Sequence, residues 1–186
     1  VPADNHPLGC HNPRISDRVC FEGILLRLAL GCSWQDAERL IGHRASDTTL
    51  RARRDEWITA GVFDNLVDHA YDRIITLDLS ETAVDGSQHK APCGGEGTGR
   101  NPTDRGKLGW KWSVLTDRWG IPLAWATDGA NRHDMVLFEP TLHAAAARGL
   151  TADIETLHLD RGYDNGVTRA IVAHSGITDL VCAKTR

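Results

Sequence analysis

The sequence predicts an α/β protein, a helical N-terminal domain over residues 1–78 followed by a mixed β-sheet flanked by helices over residues 79–186. Three observations predict it. Up to residue 77, apolar residues recur at helical spacing between capping serines and closing glycines. From residue 80 onward, short β-branched and aromatic runs replace them. The first of those runs follow one another through loops and turns, and the later ones are separated by helical stretches.

The elements follow in order. Ser16-Asp17 offers an N-cap, and Phe21, Ile24, Leu25 and Leu28 form a helical stripe that Gly31 stops. Ser33-Trp34-Gln35-Asp36 resembles a capping box with Asp36 in place of the usual Glu, opening a short helix closed by Gly42. Ser46 or Asp47 caps a third helix that carries Leu50, Trp57 and Ile58 to Gly61. Short helices joined by tight glycine turns fit a helix-turn-helix arrangement, and the third presents Arg51, Arg53 and Arg54 in one turn. A fourth helix, striped by Phe63, Leu66, Val67, Ala70 and Ile74, runs toward residue 77.

The second part opens with a short strand, Thr82-Ala83-Val84, ending on Asp85-Gly86, and a polar, glycine-rich loop over 88–105. Residues 111–116 alternate as a strand does, Asp117-Arg118-Trp119-Gly120 makes a turn, and 121–127 returns, so the pair reads as a hairpin. Asp134 caps a helix to residue 147, residues 154–159 form a buried strand ending on Asp160, and Asp164 or Asn165 caps the next helix. A last strand covers 177–182. Crossover helices require parallel pairing for the later strands, hence a mixed sheet.

Composition narrows the class. The balance of 41% hydrophobic and 25% charged residues is that of a soluble globular chain, with no apolar run of membrane-spanning length and no secretory pattern at the N-terminus. Val1 at the start, and an end just after a strand, read as cuts at both termini. Cys10, Cys20, Cys32, Cys93 and Cys182 are odd in number and irregularly spaced, which predicts reduced thiols in a cytoplasmic protein. His6, Cys10 and His11 lack the second ligand pair that structural zinc needs, so zinc is not expected. A formal net charge of −4 argues against a uniformly basic nucleic-acid binder. Its distribution says more. Asp64, Asp68, Asp72, Asp78 and Glu81 face only Arg73, whereas Arg100, Arg105, Lys107 and Lys111 face only Asp104. A phosphate backbone would meet the second segment.

Two aspartates at strand ends, Asp85 and Asp160, are the candidate chemistry. Convergent carboxylates suit Mg²⁺, which takes hard oxygen ligands, and two such ions can serve in-line phosphodiester displacement. Taken singly, each is an ordinary turn residue.

At this point the sequence resembles the DDE transposases of bacterial insertion sequences, the cut-and-paste type. Ala83-Val84-Asp85-Gly86-Ser87 looks like the family's first-aspartate strand, and residues 99–109 are similar to its basic, glycine-bearing loop. Residues 111–123 look like its hairpin, and Gly129-Ala130-Asn131-Arg132-His133-Asp134 resembles the start of its first core helix. Leu159-Asp160-Arg161-Gly162-Tyr163-Asp164 looks like its second-aspartate motif. Leu30-Gly31-Cys32-Ser33-Trp34 and residues 57–63 resemble its helical N-terminal domain. The resemblance implies an incomplete RNase H-like core with Asp85 and Asp160 as catalytic, metal-binding acids, and Mg²⁺ or Mn²⁺ as cofactor. It implies cleavage at transposon ends, followed by strand transfer. The implied partners are double-stranded DNA, as terminal inverted repeats and target, and further copies of the chain in the active complex. The implied third acid, a Glu on a later helix, falls beyond Arg186, since no Glu follows Glu155. A nucleoid-associated cytoplasmic protein with no membrane contact is expected.

Around this pair, Arg105, Lys107 and Lys111 are the expected DNA-backbone contacts, with Arg51 and Arg54 as candidates on the third helix. Asp134 reads as a helix cap, with a metal role as the minor option. Trp110, Trp112, Trp119 and Trp125 read mainly as core or sheet-face residues, and Tyr163 as a packing residue whose hydroxyl can reach the site. Two other readings stay open: a non-catalytic DNA-binding or regulatory truncated transposase, and another nuclease of the same fold.

Overall fold

In the computed structural model, residues 14–73 and 76–183 are described, and the chain divides into two units, Val1–Ile75 and Thr76–Arg186. The group His6, Cys10 and His11 lies outside the described residues.

In the first unit, Ser16 caps α1 (Asp17–Leu30), which Gly31 ends in the left-handed conformation at φ 60°. Ser33 caps α2 (Trp34–Leu40), its hydroxyl accepting from the Asp36 amide at 3.1 Å and donating to the Asp36 carboxylate at 2.6 Å, so the expected Ser33–Asp36 pair forms at the cap. Ser46, not Asp47, caps α3 (Asp47–Thr59), and α4 spans Val62–Arg73. Ile24, Ile41, Leu50 and Trp57 are fully buried between the first three helices. Gly23 sits where a Cβ would lie 2.9 Å from Leu50, so the glycine lets the helices close. Arg53 is buried at 5% exposure, ion-paired to Asp17 and bonded to the Ile15 carbonyl, so it is a structural cation and not one presented to solvent.

The second unit is a six-stranded mixed sheet. Strand β1 (Glu81–Lys90) lies in the middle, antiparallel to β3 (Leu108–Thr116), which pairs in turn with β4 (Pro122–Gly129). On the other side of β1, β5 (Thr156–Leu159) and β6 (Asp179–Cys182) run parallel to it. A two-residue strand, β2 (Gly99–Arg100), holds the near end of β3. Helices α5 (Asp134–Ala147) and α6 (Gly166–His174) make the parallel crossovers, packing Phe138, Leu142, Ala145 and Val172 onto Val84, Leu115, Leu157 and Leu159. The order β4–β3–β1–β5–β6, with an antiparallel half and a parallel half, is the RNase H-like arrangement.

Three expectations need correction. Strand β1 does not end at Asp85 but continues to Lys90, because β3 pairs with it residue by residue as far as Lys90↔Gly109. The loop expected from residue 88 therefore begins later and contains β2. Helix α5 is capped by His133, whose Nδ1 accepts from the Met135 amide, and Asp134 is its first residue. Of the hairpin tryptophans read as core or sheet-face residues, Trp110, Trp112 and Trp125 lie on the sheet face, Trp112 37% and Trp125 38% exposed, while Trp119 stands in the turn at 71%. Both helices pack on one face of the sheet, while Trp110 and Trp112 alternate onto the other, which no described element of this unit covers.

Candidate active site

The last parallel pair between β1 and β5 is Val84↔Leu159. Asp85 and Asp160 each follow by one residue. Neighbouring strands lie about 4.8 Å apart, so the two aspartates stand side by side where β1 loses its parallel neighbour. Asp85 remains inside the β1–β3 ribbon, opposite Val114, while the chain turns away after Asp160 into a 3-10 turn, Arg161–Tyr163. Both are exposed. Among the described residues, the Asp85 carboxylate accepts from the adjacent Gly86 amide at 2.7 Å, and Asp160 from the Arg161 amide at 2.5 Å. No ion pair to either is found among the described residues, so their remaining lone pairs face solvent.

Behind them lies Tyr163, 5% exposed and packed on Phe138 with ring centroids 5.4 Å apart. Its hydroxyl is buried and makes no hydrogen bond among the described residues. Burial, and then the negative fields of Asp134, Asp85 and Asp160, push its pKa up to about 12. The hydroxyl is thus an orphaned donor within the field of three carboxylates.

Asp134 is placed beside this pair by contacts that the sequence reading did not foresee. Its Oδ1 lies 3.6 Å from where a Cβ on Gly86 would stand, so the glycine after Asp85 makes room for it. It accepts from Lys111 Nζ at 3.0 Å, and the Lys111 side chain is only 15% exposed. The signal was the strand period. Lys111, Ser113 and Leu115 share the helix-covered face, which points Lys111 at the start of α5. Lys111 therefore serves Asp134, whereas Arg105 and Lys107 are exposed on the loop, the latter 3.6 Å from Asp104. Arg105 adopts φ 54° in the turn before Gly106. In the first unit, Arg51 pairs with Asp47 at 2.9 Å, and Arg54 pairs with Asp55 and stacks 5.2 Å from the Trp34 ring centre.

The donor set consists of hard oxygens, and the orphaned Tyr163 hydroxyl beside them lacks the partner a bound water or phosphate would supply. That combination fits a divalent ion such as Mg²⁺. Among the described residues, no three His, Cys, Asp or Glu side chains are arranged as a metal site. The pair is therefore a partial set. Also among the described residues, no helix is long and apolar enough to cross a membrane, and Cys20, Cys32, Cys93 and Cys182 are free thiols.

No family model matches the chain. Over 92 residues it is 35% identical to the putative transposase for insertion sequence element IS402 of Burkholderia cepacia, covering 47% of this chain and 44% of that protein. The chain thus spans less than half the length of that relative. In fold comparison it aligns with the Mos1 transposase paired-end complex with the left transposon end, over 95% of this chain and 61% of that one. The TM-score is 0.35 at 11% identity, too distant to transfer a residue role. Through the segment shared with the IS402 protein, this chain is a relative of a bacterial insertion-sequence transposase.

Proposed function

We propose that the chain is part of a DDE transposase whose acids Asp85 and Asp160 hold Mg²⁺ or Mn²⁺ for cleavage of transposon-end DNA and strand transfer. The observation that carries this reading is that both aspartates follow the last β1–β5 pair by one residue, with no ion pair to either among the described residues. When bound, the metal supplies Lewis acidity for an in-line displacement at phosphorus. The chain's own residues do the rest. The backbone amides of Gly86 and Arg161 orient the two carboxylates, and strand pairing fixes their separation. Lys111 neutralises Asp134, so a third negative charge does not oppose the approach of a phosphate. Arg105 and Lys107 lie on the loop where the DNA backbone passes, and Arg51 and Arg54 serve the helical domain, residues 1–78. Double-stranded terminal repeats, target DNA and further copies of the chain are its partners, in a nucleoid-associated setting within the cytoplasm.

The test uses a polypeptide extended to the full length of the IS402-type relative, with a labelled transposon-end duplex and Mg²⁺. Asp85→Ala and Asp160→Ala are each expected to abolish cleavage. Cleavage retained in Asp85→Ala removes the assignment. End cleavage without joining to target DNA would favour a hydrolytic nuclease of the same fold.

A further inference from the structure

The sheet face that the helices leave bare is not uniform. Along β1, Asp85, Ser87 and His89 point to it, opposite Val114, Trp112 and Trp110 of β3. Ala83, Asp85, Ser87, Trp112, Val114 and Thr116 line a shallow cavity of about 270 Å³ there. The His89 ring stacks on Trp110 at 4.6 Å and meets Trp112 edge-on at 5.5 Å. Past this aromatic group lies a second cavity of about 430 Å³, walled by Lys90, Pro92, Arg100, Gly106, Lys107 and Leu108. Among the described residues, the acid that pairs with these lysines is Asp104, 3.7 Å from Lys90 and 3.6 Å from Lys107, longer than hydrogen-bonded ion pairs. Arg100 and Arg105 make no ion pair among the described residues.

We propose that this face is a binding track for single-stranded DNA, with a phosphate in the Lys90, Arg100 and Lys107 pocket and unpaired bases stacked on Trp112 and His89. The track leads to Asp85, and this deepens the transposase reading on which it rests. Four residues of β-strand span about 14 Å, so a strand touching both the pocket and Asp85 covers only a few nucleotides. Charge complementarity selects a polyanion. The partly exposed rings select one whose bases are free, since bases within a duplex keep their faces in the stack. A strand bound here would bring one of its phosphates to the acids.

Anisotropy of a labelled single-stranded oligonucleotide of about 12 nucleotides, measured with the 186-residue chain across a salt series without divalent metal, tests this. Each phosphate neutralised on a single strand contributes about 0.7 to the salt slope. The Arg100→Gln/Lys107→Gln variant, altered only at exposed positions, should lose about 1.4 from the slope. Trp112→Leu should bind about tenfold more weakly with the slope unchanged, and circular dichroism verifies that it is folded. Parental affinity and slope in the Arg100→Gln/Lys107→Gln variant overturn the proposal. So does a slope that falls only with Arg51→Gln/Arg54→Gln. Because metal is absent, a negative result here leaves the cleavage reading standing, and intact binding without cleavage leaves this proposal standing.

Discussion

Removing one oxygen atom from Tyr163 should make the protein more stable. Its hydroxyl is buried without a hydrogen-bond partner among the described residues, and stranding such a group costs about 1–3 kcal/mol. Tyr163→Phe keeps the ring on Phe138 and deletes only the orphan. A gain of about 1 kcal/mol at pH 8 is expected, a rise of about 4 °C in the melting point of the second unit. A second signature follows from titration. The pKa is raised from its ordinary value of 10.0 to about 12. Between those values the unfolded chain has lost the proton that the folded chain retains, so stability is full below pH 10 and falls as pH rises toward 12. The loss is about 1.4 kcal/mol at pH 11 and about 2.3 kcal/mol at pH 12. Tyr163→Phe lacks it, so its advantage over the parent should widen by those amounts. Urea denaturation of both proteins at pH 8, 10 and 11 measures the difference and cancels every other titrating group. A variant less stable than the parent at pH 8, or a difference that stays flat to pH 11, refutes the reasoning.

Three further outcomes are expected. Arg53→Ala should destabilise the helical unit by about 2 kcal/mol, below the cost of breaking a fully buried pair because Asp17 is 48% exposed; an unchanged thermal midpoint contradicts it. Gly109→Ala would place a Cβ 2.5 Å from the His89 carbonyl oxygen, backbone that cannot yield without parting β1 from β3. A loss of about 2 kcal/mol or more in denaturant stability is expected, and parental stability argues against the β1–β3 register. Iodoacetamide near pH 8 should label exposed Cys93 before Cys20, which is fully buried and whose thiol is pushed up mainly by burial; mass spectrometry of timed digests reads the order.

Much of the fold was legible because its signals are local. Ser16, Ser33 and Ser46 cap their helices through their own side chains, and Gly31 and Gly120 turn the chain at positive φ, all within a few residues of one another. What escaped was set by pairing across the sheet. A sequence that reads as loop, Gln88-His89-Lys90, is extended because β3 supplies a partner for each residue. Asp134 reads as a cap until α5 places it under Gly86 and beside Lys111, contacts spanning 48 and 23 residues. Lys111 looks like a surface cation in a basic segment, and only the strand period turns it inward. Asp85 and Asp160 were singled out as a pair because each ends an apolar run. That they lie level with one another is a property of the parallel register alone.

The central claim is that Asp85 and Asp160 share a divalent cation. Ferrous ion, which carboxylates accept as they do Mg²⁺ or Mn²⁺, can be loaded into the chain and triggered with ascorbate and peroxide, so that hydroxyl radicals cut the backbone beside the bound metal. The account predicts two cuts, one near residue 85 and one near residue 160, both suppressed by excess Mg²⁺ and both lost in Asp85→Asn. Cuts elsewhere, or a pattern that survives Asp85→Asn, would contradict it.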